Sequence, residues 1–132
     1  MLKLNQTLSG LFNFAKNHDF SGAHNLRGYR GQCEDLHGHN WKVEARFTKN
    51  SLNDIGIAED FKILKKKLKA ILKKLDHAYL NRLDIFRKKN PSAENISRYI
   101  FEELKSTLRK KGLLVKSVSV WESDNSCATY YE

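Results

Sequence analysis

The stretch Cys33-Glu34-Asp35-Leu36-His37-Gly38-His39-Asn40-Trp41-Lys42-Val43-Glu44-Ala45-Arg46-Phe47 decides how this chain reads. Trp41, Val43, Ala45 and Phe47 alternate with Lys42, Glu44, Arg46 and Thr48, which is the period of a strand with one buried face. The same period carried backwards aims His37 and His39 into one space, and Gly38 leaves the opposite side bare. Two imidazoles converging from one strand make half of a tetrahedral zinc site. Cys33 lies just upstream, where its thiol suits either another ligand or a nearby base. His24 is a third histidine, near the end of an earlier extended segment. If the two segments pair, it reaches the space that His37 and His39 face. Three histidines leave one position on zinc open, the catalytic arrangement. The competing reading makes His24 an unrelated loop histidine and the other two ordinary polar strand residues.

Outward from this stretch, Leu11 to Ala23 reads as extended and as an antiparallel partner for Trp41 to Lys49. Asn25 to Gln32 is a loop with Gly28 and Gly31 as turns. Asp60 is placed to cap a helix whose apolar stripe is Phe61, Leu64, Leu68, Ile71, Leu72 and Leu75. Asp76 to Asn81 ends it. After Pro91, the only proline, Ser92 caps a second helix carrying Ile96, Ile100, Leu104 and Leu108, and Gly112 ends that one. Val115 to Glu122 and Cys127 to Tyr131 are two further strands. With no βαβ alternation, the class is α+β: a four-stranded antiparallel sheet with two helices on one face, in the order ββααββ.

Residues 1–132 read as a single domain. Hydrophobic residues make up 40% of them, enough for a core and too many for a disordered chain. No apolar run approaches the roughly 18 residues that span a membrane, and Met1 to Lys16 lacks a leader's apolar core and cleavage site. The chain therefore reads as cytoplasmic, with Cys33 and Cys127 reduced, although a bridge between them stays open. The net charge of +9 fits nucleic acid, an anionic small molecule, or only a solvated surface. Much of it sits at Lys62, Lys65, Lys66, Lys67, Lys69, Lys73 and Lys74, which reads as the outer face of the first helix.

Further pieces follow in a recognisable order: Phe20-Ser21-Gly22-Ala23-His24, Cys33 with Leu36-His37-Gly38-His39, Asp60-Phe61 with Leu64-Lys65, Leu75-Asp76-His77, Leu80-Asn81, Asn90-Pro91-Ser92-Ala93-Glu94-Asn95, and Glu122. Together, along nearly the whole chain, they resemble the 6-pyruvoyl-tetrahydropterin synthase and 6-carboxytetrahydropterin synthase family. That resemblance implies the tunnelling fold, in which subunits join their sheets into a barrel. It implies a homohexamer built from trimers, with sites between subunits. It implies 7,8-dihydroneopterin triphosphate as substrate and Zn2+ on His24, His37 and His39. Cys33 would be the general base, His77 the partner proton carrier with Asp76 behind it, and Glu122 the anchor of the pterin ring. Ser92 is a further candidate substrate contact, and Arg27, Arg30 and Lys65, beside the matching motifs, are candidates for the triphosphate.

Only three residues separate Cys33 from His37, a short gap that matches the carboxy branch. Its members make 6-carboxy-5,6,7,8-tetrahydropterin for 7-deazaguanine and queuosine synthesis, releasing acetaldehyde and triphosphate. The alternative is the pyruvoyl enzyme, which shares zinc and substrate. A remote alternative is a basic nucleic-acid-binding protein with a structural zinc, but such a site is normally closed by four protein ligands. Ser92 stands where threonine is frequent, and Gly22 where alanine or serine is usual. Cys127 reads as a buried packing residue.

Overall fold

A computed structural model describes residues 10–31, 34–110 and 112–132. Strands β1 (Phe12–His24) and β2 (His37–Lys49) pair antiparallel along their whole lengths, from Phe12 opposite Lys49 to His24 opposite His37. Helix α1 (Phe61–Leu72) follows, then a two-residue strand β3 (Ala78–Tyr79) and helix α2 (Ala93–Thr107). Strands β4 (Leu114–Ser123) and β5 (Ser126–Tyr131) complete the sheet. Among the described residues the sheet has five strands in the order β3-β1-β2-β4-β5. It is mixed, because β3 runs parallel to the end of β1.

The expected four-stranded antiparallel sheet is therefore corrected by one short parallel strand. Two residues carry no period, so β3 is not legible as a strand. The chain leaving α1 sets it. His77 takes the left-handed φ of 57°. Its N–H donates to the Ser21 carbonyl at 2.6 Å, and the Asp76 carboxylate accepts from the Ser21 N–H at 2.9 Å. Both backbone groups of one edge residue are thereby satisfied.

Both helices start where the sequence places their caps. The Asp60 carboxylate accepts from Lys62 N–H at 2.8 Å, and the Ser92 hydroxyl accepts from Asn95 N–H at 3.2 Å. The helices cover one sheet face, where Trp41, Val43, Ala45 and Phe47 meet Leu64, Leu68, Ile100 and Leu104, all fully buried. Phe61 departs from its expected place in the stripe. It is half exposed and packs its edge on Phe14. Helix α2 ends at Thr107 rather than at Gly112, which instead supplies a φ of 79° in the turn into β4. The seven lysines of the 62–74 segment are all exposed. No helix among the described residues is long and apolar enough to cross a membrane.

The other sheet face carries the alternate residues, Ser21, Asn40, Lys42, Glu44, Ser119 and Trp121, in register across three strands. Cys127 lies opposite Trp121 on this uncovered face and is exposed, not buried as expected.

Candidate metal centre

The helix-covered face continues past the core at one end of the sheet. On β2, Trp41 is followed back along the strand by His39 and His37. On β1, Phe20 and Gly22 lead to His24, opposite His37. On β4, Val118 and Val120 lead to Glu122. Strand alternation thus delivers three imidazoles and one carboxylate to the same end of the core. The structure brings His24, His37 and His39 together: their candidate ligand atoms lie within 4.8 Å of one another, placed to bind a metal ion. The rings pack edge to face against each other, and His24 and His39 also pack on Trp41 at 4.9 and 5.1 Å.

Hydrogen bonds orient the rings. His24 Nδ1 lies 2.7 Å from the Pro91 carbonyl, and His37 Nδ1 lies 2.8 Å from the Asp35 carbonyl. A carbonyl only accepts, so each Nδ1 carries the proton and each Nε2 of the neutral rings presents a lone pair. Those two Nε2 atoms face each other at 3.1 Å. His39 Nε2 is buried with no hydrogen-bond partner among the described residues. A Glu122 carboxylate oxygen stands 3.4 Å from His24 Nε2 and 3.8 Å from His39 Nε2. Acceptors converging without a donor call for a cation. Two nitrogens on a tetrahedral ion with metal–nitrogen bonds of about 2.0–2.1 Å sit roughly 3.3 Å apart, close to the spacing found here. Burial holds the His39 pKa below its ordinary value against the opposing pull of Glu122, which favours the neutral, metal-binding form.

The other candidates are distributed differently. Cys33 lies outside the described residues. Asp76 and His77 pair at 3.0 Å, and the His77 side chain is 82% exposed. The Ser21 N–H bond, aided by His77, lowers the Asp76 pKa. His77 lines a shallow cavity of roughly 460 Å³ with Ser21, Ala23, Gly38, Asn40 and Tyr79, and His39 of the histidine cluster borders the same cavity. The Arg27 guanidinium is spent on the Asn90 side chain and the carbonyls of Phe86 and Lys89. Ser92 is spent on capping α2, and Lys65 is exposed on the outer side of α1. One neighbour escaped the sequence reading. Glu34 lies 3.7 Å from His37 Nδ1 and accepts from the Leu26 N–H. Its only sequence signal is a spacing of three from His37.

Residues 13–132 match the family model for 6-pyruvoyl tetrahydropterin synthase. A putative 6-carboxy-5,6,7,8-tetrahydropterin synthase of Archaeoglobus fulgidus is 36% identical over 110 residues, covering 83% of this chain and 86% of that protein. The 6-carboxy-5,6,7,8-tetrahydropterin synthase of Haemophilus influenzae is 30% identical over 92% of this chain and all of its own length. The structure of Caenorhabditis elegans 6-pyruvoyl tetrahydropterin synthase superposes with a TM-score of 0.82 at 23% identity, covering 93% of this chain and 96% of that one. The histidine cluster, its supporting sheet and these likenesses lead to one assignment: the chain belongs to the 6-pyruvoyl tetrahydropterin synthase family of pterin-forming enzymes.

Proposed function

We propose that this protein is a zinc-dependent 6-carboxytetrahydropterin synthase. It takes 7,8-dihydroneopterin triphosphate and water to 6-carboxy-5,6,7,8-tetrahydropterin, acetaldehyde and triphosphate, as a step toward 7-deazaguanines. The observation that carries this reading is the pair of Nε2 lone pairs facing each other at 3.1 Å beside the unpartnered His39 Nε2. The Archaeoglobus and Haemophilus relatives carry the carboxy name. The Cys33 to His37 gap is the short one.

Zinc held by His24, His37 and His39 would polarise the side-chain hydroxyls of the substrate and acidify the adjacent carbon-bound proton. Cys33 acts as the base for that proton, its thiol pKa lowered by nearby positive charge. Glu122 stands beside the triad, so a pterin whose side chain meets the metal brings its amino-pyrimidine edge within reach of this carboxylate. Asp76 holds His77 for proton transfer. The His77 side chain is largely exposed, so we assign it to a neighbouring copy's metal centre, in an oligomer of trimers. Covering the uncovered face and the free edges of β3 and β5 is a second reason for association.

A second reading, triphosphate elimination to the 6-pyruvoyl product, is favoured by the name of the family model. Mass spectrometry of products from the zinc-loaded protein and dihydroneopterin triphosphate separates the two. The carboxylated pterin with acetaldehyde is expected. The pyruvoyl product without acetaldehyde would replace the first reading by the second, and an unconsumed substrate would sink both.

A further inference from the structure

The geometry points to Asn81 and Asn90 as positioning residues that hold the metal centre in shape, an inference that rests on the metal reading above. It starts where the sheet runs out. His24 is the last residue of β1. On one side β2 begins opposite it, at His37; on the other, β3 has already ended at Tyr79. A strand end flanked this way should fray, taking a metal ligand with it.

The next three residues are nevertheless bonded as a strand would be. The Asn81 side chain accepts from Asn25 N–H at 3.0 Å and donates to the Asn25 carbonyl at 2.7 Å. Two residues on, the Asn90 side chain accepts from Arg27 N–H at 2.9 Å and donates to the Arg27 carbonyl at 2.9 Å. Leu26, between them, is served by Glu34. Its N–H goes to the Glu34 carboxylate at 3.2 Å, and its carbonyl accepts from the Glu34 N–H at 2.9 Å. A carboxamide offers one acceptor and donors in a plane, as a peptide does. Two asparagines therefore stand where the next strand would be.

The clamp also reaches the histidine ring. Pro91, whose carbonyl sets the His24 tautomer, directly follows Asn90. The Asn90 carbonyl is in turn held by the Asn95 side chain from α2 at 2.8 Å, and the Arg27 Nε adds a bond to the Asn90 side chain at 3.2 Å. Asn90 thus ties the backbone beyond His24 to the carbonyl that orients its ring. Asn81 holds the residue immediately after His24, and the Tyr79 hydroxyl steadies that residue's side chain at 2.8 Å. Groups that orient a metal-binding histidine typically change metal affinity about 10–100-fold when removed.

The test compares wild type with Asn81→Ala, Asn90→Ala and Asn90→Asp. Zinc affinity is read by competition with a chromophoric chelator, and ligand geometry by the visible spectrum of the cobalt(II)-loaded protein. Both asparagine-to-alanine variants should lose roughly 10–100-fold in zinc affinity with an altered cobalt spectrum. Asn90→Asp nearly preserves shape but sets an acceptor against the Arg27 carbonyl, and it should lose affinity too, which covers a failure of Asn90→Ala to fold. Ser119→Ala, which removes a hydroxyl bonded to Thr129 on the uncovered face, should keep native affinity and spectrum. Folded Asn81 and Asn90 variants with native affinity and native spectrum overturn the inference while the metal centre stands. Undiminished zinc binding in His37→Ala overturns the metal centre itself, and the inference with it.

Discussion

Replacing Trp41 by phenylalanine tests the idea that core and site are one packed object. Trp41 is fully buried, stacks on Phe20 with centroids 5.8 Å apart, and donates its indole N–H to the Gly22 carbonyl at 3.1 Å. Phenylalanine keeps the stacking partner but is smaller by a few tens of Å³, which at ~24 cal/mol per Å³ costs about 1 kcal/mol if the space stays empty. The lost hydrogen bond adds roughly 0.5–1.5 kcal/mol. Trp41→Phe should therefore lose about 2 kcal/mol in urea unfolding of the metal-free protein, read as a fall in midpoint at unchanged slope. Zinc affinity should fall in the same variant, because the His24 and His39 rings lean on the indole. A stability loss within ~0.5 kcal/mol of zero together with native zinc affinity would refute the reasoning, since surface substitutions produce as little.

Cys33→Ala should retain zinc by metal analysis and lose turnover by roughly a hundred- to ten-thousand-fold, the usual worth of a positioned base. Near-native turnover rejects that role, and loss of zinc makes the thiol a ligand. Asp60→Ala and Ser92→Ala should each cost about 1 kcal/mol in chemical denaturation, because each removes a side-chain acceptor from a helix start. Burial, with the Glu103 carboxylate nearby, pushes the Tyr99 phenol up to about 12 from its ordinary 10.0. A folded-state value above the unfolded one favours the neutral phenol. Its stabilisation is complete below the ordinary value and is lost as pH climbs through the folded one. Tyr99→Phe should flatten the decline in denaturation midpoint across that window, and an unchanged decline would contradict the assignment.

Much of the site was legible because a strand has period two. His37, His39 and Trp41 share a face by counting alone, and the register opposite His24 then follows from pairing two long alternating segments. The helix caps were legible because Asp60 and Ser92 stand directly before apolar stripes. What stayed hidden depends on contacts distant in sequence. Strand β3 exists because Asp76 and His77 grip Ser21, fifty-five residues before Asp76. Arg27 looked free for a triphosphate, yet its guanidinium is occupied by a segment some sixty residues away. Glu34 and the two clamping asparagines show no periodicity, since they bond backbone rather than fill a face. Cys127 read as buried because its type usually is, but β5 is an outer strand and turns that residue to the uncovered side.

The division of β2 between two faces separates two kinds of sequence change. Odd-numbered positions from His37 to Phe47 answer to the histidine cluster and the core, whereas Gly38, Asn40, Lys42, Glu44 and Arg46 answer to whatever lies over the other face. Substitutions at the even positions can drift and recharge the uncovered surface while the histidines stay where they are. The two faces are therefore free to evolve at separate rates along one strand. The two constraints meet at Ser21, which faces the uncovered side while its backbone holds the Asp76–His77 turn. A change there is answerable to both at once.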